Sequence, residues 1–310
     1  MEKKDSLQRR SETVIAKIDR VLRKEPQRLT VMNKGKEGRP FLYSDDLIIA
    51  ISFFRSCFCP RLRQTEALVR RIYGYSPGHT TIDRRLSTIR PEWTVTKSER
   101  KGRLLAIDAT GISVSDRGGY RDSRYGSKPK FHKLHAMIDV EEMEIVDFRL
   151  TSEHVADNRK SLAMIREAAR RGDTVYADGA YDAKDNFSFL DKHGIRSGIK
   201  IRQTASPTAP GCLPRKKAVM EQFSLLPHGH LERKHPPVTD GTVLFNEREV
   251  MRYYQKKWKE KVGYGRRWLI ESFFSAFKRV YGSHASSRVW KKVKNEMTLK
   301  LLLYNSLLKI

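Results

Sequence analysis

Three cysteines, Cys57, Cys59 and Cys212, are all that 310 residues contain, so no disulfide framework exists and a reducing, cytoplasmic setting is expected. Cys57-Phe58-Cys59 lies in an apolar run without the second ligand pair that a structural zinc site needs, and both cysteines read as small buried hydrophobes. No window approaches 18 uninterrupted apolar residues, which excludes a helical membrane span. The start, MEKKDSLQRR, is charged and has no apolar stretch, so no secretory signal is expected. Acid is the other scarcity. Asp plus Glu number 36 against 62 Lys plus Arg, a formal charge of +26. Such self-repulsion points to a polyanionic partner, nucleic acid foremost.

The excess is uneven, about +10 over residues 1–100, about +2 over 101–200 and about +14 over 201–310. A near-neutral middle suits an acidic centre held between two basic ends. Residues 1–38 are charged and weakly patterned, and are expected to form a loose helix and a flexible basic arm. DDLIIAISFFRSCF (45–58) reads as a buried helix stopped by Pro60. RLRQTEALVRRIYG (61–74) reads as a second helix closed by glycine. After YSPGH, TTIDRRLSTIR offers Thr80 as a cap and projects Arg84, Arg85 and Arg90. Two short helices around a Gly/Pro turn, the second basic, match a helix-turn-helix, although any helical pair with surface arginines has the same pattern.

LLAIDATGI (104–112) is an apolar run with one acid, Asp108, which is costly inside a strand unless it meets a partner or a cation. A hairpin-like stretch (116–128) leads to two alternating strands, FHKLHAMIDV and EIVDFRLTS, expected to be antiparallel. A helix over 158–172 follows, with Asp157 as its cap. TVYA (174–177) then reads as a strand running into Asp178, with Gly179 allowing a sharp turn. The crossover makes that strand parallel to the sheet, beside the first, where strands lie about 4.8 Å apart. Asp108 and Asp178 could there share a divalent ion. Asp182 rivals Asp178, while Asp116, Asp122 and Asp157 read as turn or cap residues. His132 and His135 flank Lys133, but a hard ion prefers oxygen ligands.

A strand over 195–201 is followed by about 60 residues rich in proline, histidine and basic types, of which 201–217 read as loop. Cys212 with His228, His230 and His235 fits no standard zinc spacing. Trp258, among four lysines in YQKKWKEK, could stack on an unpaired base or pack on the surface. In YGRRWLIESFFSAFK (264–278), a helical projection gathers Tyr264, Arg267, Glu271 and Lys278 in a stripe about 60° wide, with Leu269, Phe273, Phe277 and Val280 opposite. An ordinary amphipathic helix with a solvated charged face has the same periodicity. A last helix spans RVWKKVKNEMTLKLLLYNSLLKI, its apolar side closing the core.

The spacing Tyr-x2-Arg-x3-Glu-x6-Lys resembles the signature of insertion-sequence DDE transposases of the IS-four and IS-five kinds. AIDATGI, HKLHAMIDV and YADGAYD extend the resemblance from about Gly38 to the end. It favours Asp178 over Asp182, because Asp-x-(Gly/Ala)-Tyr is met by Asp178, Ala180 and Tyr181. It implies an α/β fold, a ribonuclease-H-like mixed five-stranded sheet with flanking helices, preceded by a helical DNA-binding region. The implied organisation is a basic arm (1–38), a DNA-end-binding helical region (39–98) and a catalytic domain (99–310) with an insertion at about 202–262. Asp108, Asp178 and Glu271 would be the catalytic acids holding two Mg²⁺ or Mn²⁺ ions. Tyr264, Arg267 and Lys278 would contact DNA, with Arg84, Arg85 and Trp258 as further candidates. Implied partners are double-stranded element ends and target DNA, bound by a homodimer that is cytoplasmic, nucleoid-associated and without a membrane role. A nuclease of the same fold and a non-catalytic DNA-binding derivative remain alternatives.

Overall fold

In the computed structural model the run LLAIDATGISV forms a strand, β1 (Leu104–Val114). The structure describes residues 12, 15, 16, 19–21, 28–58, 60–89, 91, 100–114, 131–225, 238, 239, 242, 243, 246–287 and 289–308. The hairpin-like stretch with Asp116 and Asp122, the histidines of the zinc candidate and most of the 1–38 arm lie outside them. So do the side chains of Cys57 and Cys59. The chain divides into two units, one of Met1–Thr94, Ile112–Phe131 and Ala276–Ile310, the other of Val95–Gly111 and His132–Ser275.

The second unit is built on the sheet. β2 (Phe131–Asp139) and β3 (Ile145–Ser152) are antiparallel, with His132 opposite Ser152 and an irregularity between Met137 and Ile138. Val140 N–H donates to Leu104 O, so the end of β2 meets the start of β1 and that pair is antiparallel as well. Helix α4 (Asn158–Ala168) carries the chain across to β4 (Thr174–Ala177), parallel to β1 with Ala106 opposite Tyr176. Helix α5 (Lys184–Lys192) then leads to β5 (Arg196–Ile199), parallel to β4. The order β3-β2-β1-β4-β5 is the ribonuclease-H-like arrangement: an antiparallel meander extended by two parallel strands through helical crossovers. Within the first unit a sixth strand, too short for any pattern to announce, adds His284–Ala285 beside Ser113 and Val114 at the end of β1.

Alternation along the strands builds the core. Leu105 and Ile107 of β1, and Val175 and Ala177 of β4, bury against Met164, Ile165, Phe187 and Leu190 from α4 and α5. The same cluster takes Val219 and Phe223 of helix α6 (Leu213–Phe223), in the stretch whose first residues the sequence suggested as loop. Pro214 misled that reading. A proline in the first helical turn removes no intrahelical hydrogen bond, so it marks a start as readily as a break. Period-two alternation turns Tyr176 to the other face. A Cβ on Gly198 of β5 would stand 2.4 Å from the Tyr176 ring, so the ring requires glycine there. Its hydroxyl donates to Val262 O at 2.9 Å, tying the sheet to the end of helix α7 (Glu247–Lys261).

In the first unit, helices α1 (Asp45–Phe58), α2 (Leu62–Tyr73) and α3 (His79–Thr88) bury Leu47, Ile48, Ile51, Val69, Ile82 and Ile89 together. Gly74 ends α2 at φ 77°. Helix α3 begins at His79, ahead of the Thr80 cap that the sequence suggested. The carboxylate of Glu66 on α2 accepts its first N–H at 2.8 Å, so capping comes from a neighbouring helix. Asn295 of the last helix donates to Leu86 O and Ile89 O at the end of α3. Among the described residues no helix is long and apolar enough to cross a membrane.

Candidate active site

Continuing the β1·β4 register by two residues from Ala106 and Tyr176 sets Asp108 level with Asp178, one residue beyond the end of β4. Each carboxylate is fixed locally by a backbone amide. Asp108 Oδ1 accepts from Ala109 N–H at 2.8 Å. Asp178 caps the three-residue 3₁₀ turn Gly179–Tyr181 and accepts from Ala180 N–H at 2.8 Å. That turn does not depend on its glycine, contrary to expectation. Gly179 has no positive φ, and a Cβ there would meet only ordinary contacts at 3.6 Å or more. Arg202 holds the turn from outside, donating to Gly179 O at 2.8 Å and Ala180 O at 3.3 Å.

The third acid arrives from the chain after α7. Tyr264–Arg267 form a 3₁₀ turn and helix α8 (Trp268–Tyr281) continues from it. Because 3₁₀ residues advance about 120° rather than 100°, a uniform helical projection is out of phase with the helix. The buried side chains of α8 are Ile270, Phe273, Phe274, Phe277 and Tyr281, while Leu269 is half-buried. Tyr264, Arg267 and Glu271 nonetheless share a side. Arg267 Nη1 donates to Asp108 Oδ2 at 3.0 Å, and its Nη2 is hydrogen-bonded to Glu271 Oε1. One guanidinium therefore joins a strand acid to the helix acid.

Burial is the main cause that raises the Asp108 carboxyl above the usual range. The charge of Asp178 adds to it, against the Ala109 amide and Arg267. A carboxylate so placed remains short of positive charge even with an arginine on it. Tyr264 is pushed up to about 12, chiefly by burial. Lys259, half-buried over the Tyr264 ring at 5.7 Å from its centroid, is held below the ordinary lysine range by burial and by Lys200 and Arg267. Lys259 thus feels both Lys200 and Arg267, of which Arg267 reaches the acids. Lys200 follows β5 as Asp178 follows β4, a strand-end position that could have marked it in the sequence.

Among the described residues no three His, Cys, Asp or Glu side chains stand together so as to hold one metal ion, and Arg267 lies between Asp108 and Glu271. The donor chemistry fits a hard divalent ion all the same. The set is all oxygen, Asp108 and Asp178 are level on adjacent strands, and Asp108 is electrostatically underserved.

Other sequence candidates find different places. Tyr264 does not present its hydroxyl outward; it donates to Ala177 O at 3.2 Å, because the 3₁₀ turn lays the ring against the end of β4. Trp258 is 5% exposed with its ring 5.7 Å from that of Tyr264, so it is packing and cannot stack on a base. Arg85 is also buried, 8% exposed, paired with Asp45 and donating to Tyr43 O at 3.0 Å, and this removes it from the DNA-facing candidates. Arg84, one residue earlier, is exposed. Lys278 lies two turns after Glu271 on α8, half-buried, and burial lowers its ammonium below the ordinary range. Asp182 is 7% exposed and grips Arg215 of α6 through both oxygens at 2.6 and 2.8 Å. Asp157 precedes α4 without capping it, and pairs with Lys133 Nζ at 3.1 Å. His135 is fully buried against Thr151 Oγ1 at 2.8 Å.

The transposase DDE domain family matches residues 99–306 of this chain. Among solved structures, the chain is similar to the piggyBac transposase in a synaptic complex with hairpin DNA, at 10% identity and a TM-score of 0.43 over 93% of this chain and 71% of that one. It is similar to the Drosophila P element transposase in a strand transfer complex, at 10% identity and a TM-score of 0.30 over 94% and 85%. A simian T-cell lymphotropic virus intasome, in complex with a PP2A regulatory subunit, gives 14% identity and 0.24 over 56% and 59%. Likenesses at these scores establish no residue correspondence. The family match covers two-thirds of the chain and contains Asp108, Asp178 and Glu271, and the chain belongs to the transposase DDE domain family.

Proposed function

We propose that this transposase is of the IS-four/IS-five insertion-sequence kind. It binds terminal inverted repeats, hydrolyses the phosphodiester at the element boundary and directs the freed 3′-hydroxyl onto target DNA. The observation that carries the reading is the meeting of Asp108 and Glu271 on one guanidinium, with Asp178 level on the adjacent strand. Asp108, Asp178 and Glu271 would hold two Mg²⁺ or Mn²⁺ ions. Divalent ions bound there supply activation of the attacking oxygen and stabilisation of charge at phosphorus.

The chain's own residues do the rest. The Ala109 and Ala180 amides aim the two aspartates. Tyr176 and Tyr264 pin the segment before α8 to the sheet, so that Glu271 is delivered by two hydrogen bonds to backbone oxygens and not by a free helix. Lys200, Lys259 and Lys278 neutralise phosphates, and Arg267 transfers from the acids to the DNA backbone as the site loads. The helical region with Arg84 grips the element end, and both ends are held by a homodimer on DNA.

The test is cleavage and joining of a plasmid carrying the gene's own flanking ends, wild type beside Asp108→Asn. Boundary cuts and joined products that vanish in the variant, with DNA binding retained, support the reading. Cuts without joining would make the protein a nuclease only. Salt-sensitive binding without Mg²⁺- or Mn²⁺-dependent cutting would make it a DNA-binding derivative.

A further inference from the structure

Tyr181 closes the turn that follows Asp178 and is 1% exposed. Its backbone is fully committed: the N–H donates to Asp178 O at 3.1 Å, and the carbonyl accepts from Asn186 Nδ2 at 2.9 Å. Its ring packs in the core with Ile107, Met164 and Phe187. The hydroxyl alone is unprovided for, buried with no hydrogen-bond partner among the described residues. A phenylalanine would fill the same space without burying a polar atom, so packing does not explain the oxygen.

The surroundings do. The charged groups that act on the hydroxyl are Asp108, Asp157, Asp178 and Arg267. A phenol keeps its proton at neutral pH, so the buried hydroxyl is available as a donor. Two of those acids are the strand carboxylates of the candidate active site. Asp108 has Ala109 N–H on one oxygen and Arg267 on the other, whereas Asp178 has Ala180 N–H on Oδ1.

We propose that Tyr181 is a positioning residue whose hydroxyl donates to the Asp108–Asp178 carboxylate pair and orients it when the pair holds a divalent ion in place of Arg267. The inference rests on the metal reading given above. A hydrogen bond from a fixed donor removes rotational freedom from a ligating carboxylate, and loss of such an outer partner weakens metal affinity about 10- to 100-fold.

Full-length wild type, Tyr181→Phe and Asp108→Asn are titrated with Mn²⁺ alone, free Mn²⁺ being read by electron paramagnetic resonance, and each is melted without metal. The expected result is binding by wild type, loss in Asp108→Asn, and about 10- to 100-fold weaker binding by Tyr181→Phe. The melting temperature of Tyr181→Phe should equal or exceed that of wild type, because the substitution removes an orphaned buried oxygen. Wild-type affinity in Tyr181→Phe, where Asp108→Asn has lost the ion, overturns this inference and leaves the metal reading standing. A wild type that binds no Mn²⁺ overturns both. A Tyr181→Phe protein that melts well below wild type overturns it too, since the hydroxyl would then serve the resting fold.

Discussion

Where β1 and β4 begin, Arg103 and Asp173 form an ion pair at 2.8 Å; where β4 ends, Asp108, midway along β1, faces Arg267 at 3.0 Å beside Asp178. The chemistry is the same and the setting is not. At the first end the side chains are 2% and 0% exposed, and both oxygens of Asp173 are filled, by Arg103 N–H and Nη2 and by Arg170 N–H. At the second end Arg267 is 18% exposed, Asp108 21%, and the guanidinium is divided with Glu271, 46% exposed. The carboxylate of the closed pair has no oxygen left to offer another molecule. An open pair divides one cation between two acids that solvent can reach.

The comparison breaks if the two aspartates weigh alike in stability. Asp173→Ala should cost about 3–5 kcal/mol, because it strands Arg103 inside the protein without its partner. Asp108→Asn should change stability by less than about 1 kcal/mol while abolishing metal-dependent cutting. Denaturant midpoints of the two variants beside wild type measure the difference. Equal losses would mean that the candidate site is a structural ion pair.

Asp147 is an intermediate case that sharpens the rule. It is fully buried on β3, with Oδ1 accepting from Phe148 N–H at 2.8 Å and engaging Arg149, while Oδ2 has no partner among the described residues. Burial is the largest cause that raises its carboxyl to about 6, the charge of Glu167 adding to it against Arg149 and the Phe148 amide. The unfolded value is about 3.9, so the folded state binds the extra proton. The associated stability is complete below about pH 4 and is lost as pH rises through about 6, some 2–3 kcal/mol if the shift is realised in full. Subtracting the pH 4–7 stability curve of Asp147→Asn from that of wild type should leave this falling slope. A flat difference would show that Arg149 already compensates the carboxylate.

The strands were legible because alternating apolar residues report a buried face, and the parallel place of β4 beside β1 because a helical crossover precedes it; Asp108 stood out as a lone acid inside an apolar strand and Asp178 as an acid directly after one. Glu271 was legible through spacing, even though a 3₁₀ turn makes the first four residues of that spacing advance faster than a helix does. What pattern could not reveal is whether a polar side chain already has its partner. Tyr264 gives its hydroxyl to Ala177 O, 87 residues away in sequence, and Asp182 is held by Arg215, 33 residues away. Trp258 looked exposed among lysines, yet its ring lies against Tyr264. Helix periodicity fixes a direction, whereas a partner's identity depends on tertiary packing.

Two adjacent arginines on α3 carry the same distinction to the helical region, where the expected effects are smallest. Arg85 pairs with Asp45, donates to Tyr43 O and lies 4.8 Å from the centroid of the Phe41 ring, all inside the first unit. Arg85→Ala should therefore cost about 1–3 kcal/mol of stability by stranding the partners it satisfies. Arg84 is exposed, and Arg84→Ala should leave stability within about 0.5 kcal/mol. If Arg84 meets a phosphate, its loss should weaken binding to any duplex and reduce the slope of log affinity against log salt by about 1. Melting each variant and titrating each with inverted-repeat DNA at several salt concentrations separates the two roles. A lower salt slope in Arg85→Ala at unchanged stability would reverse the assignment, placing the buried arginine on DNA and the exposed one in solvent.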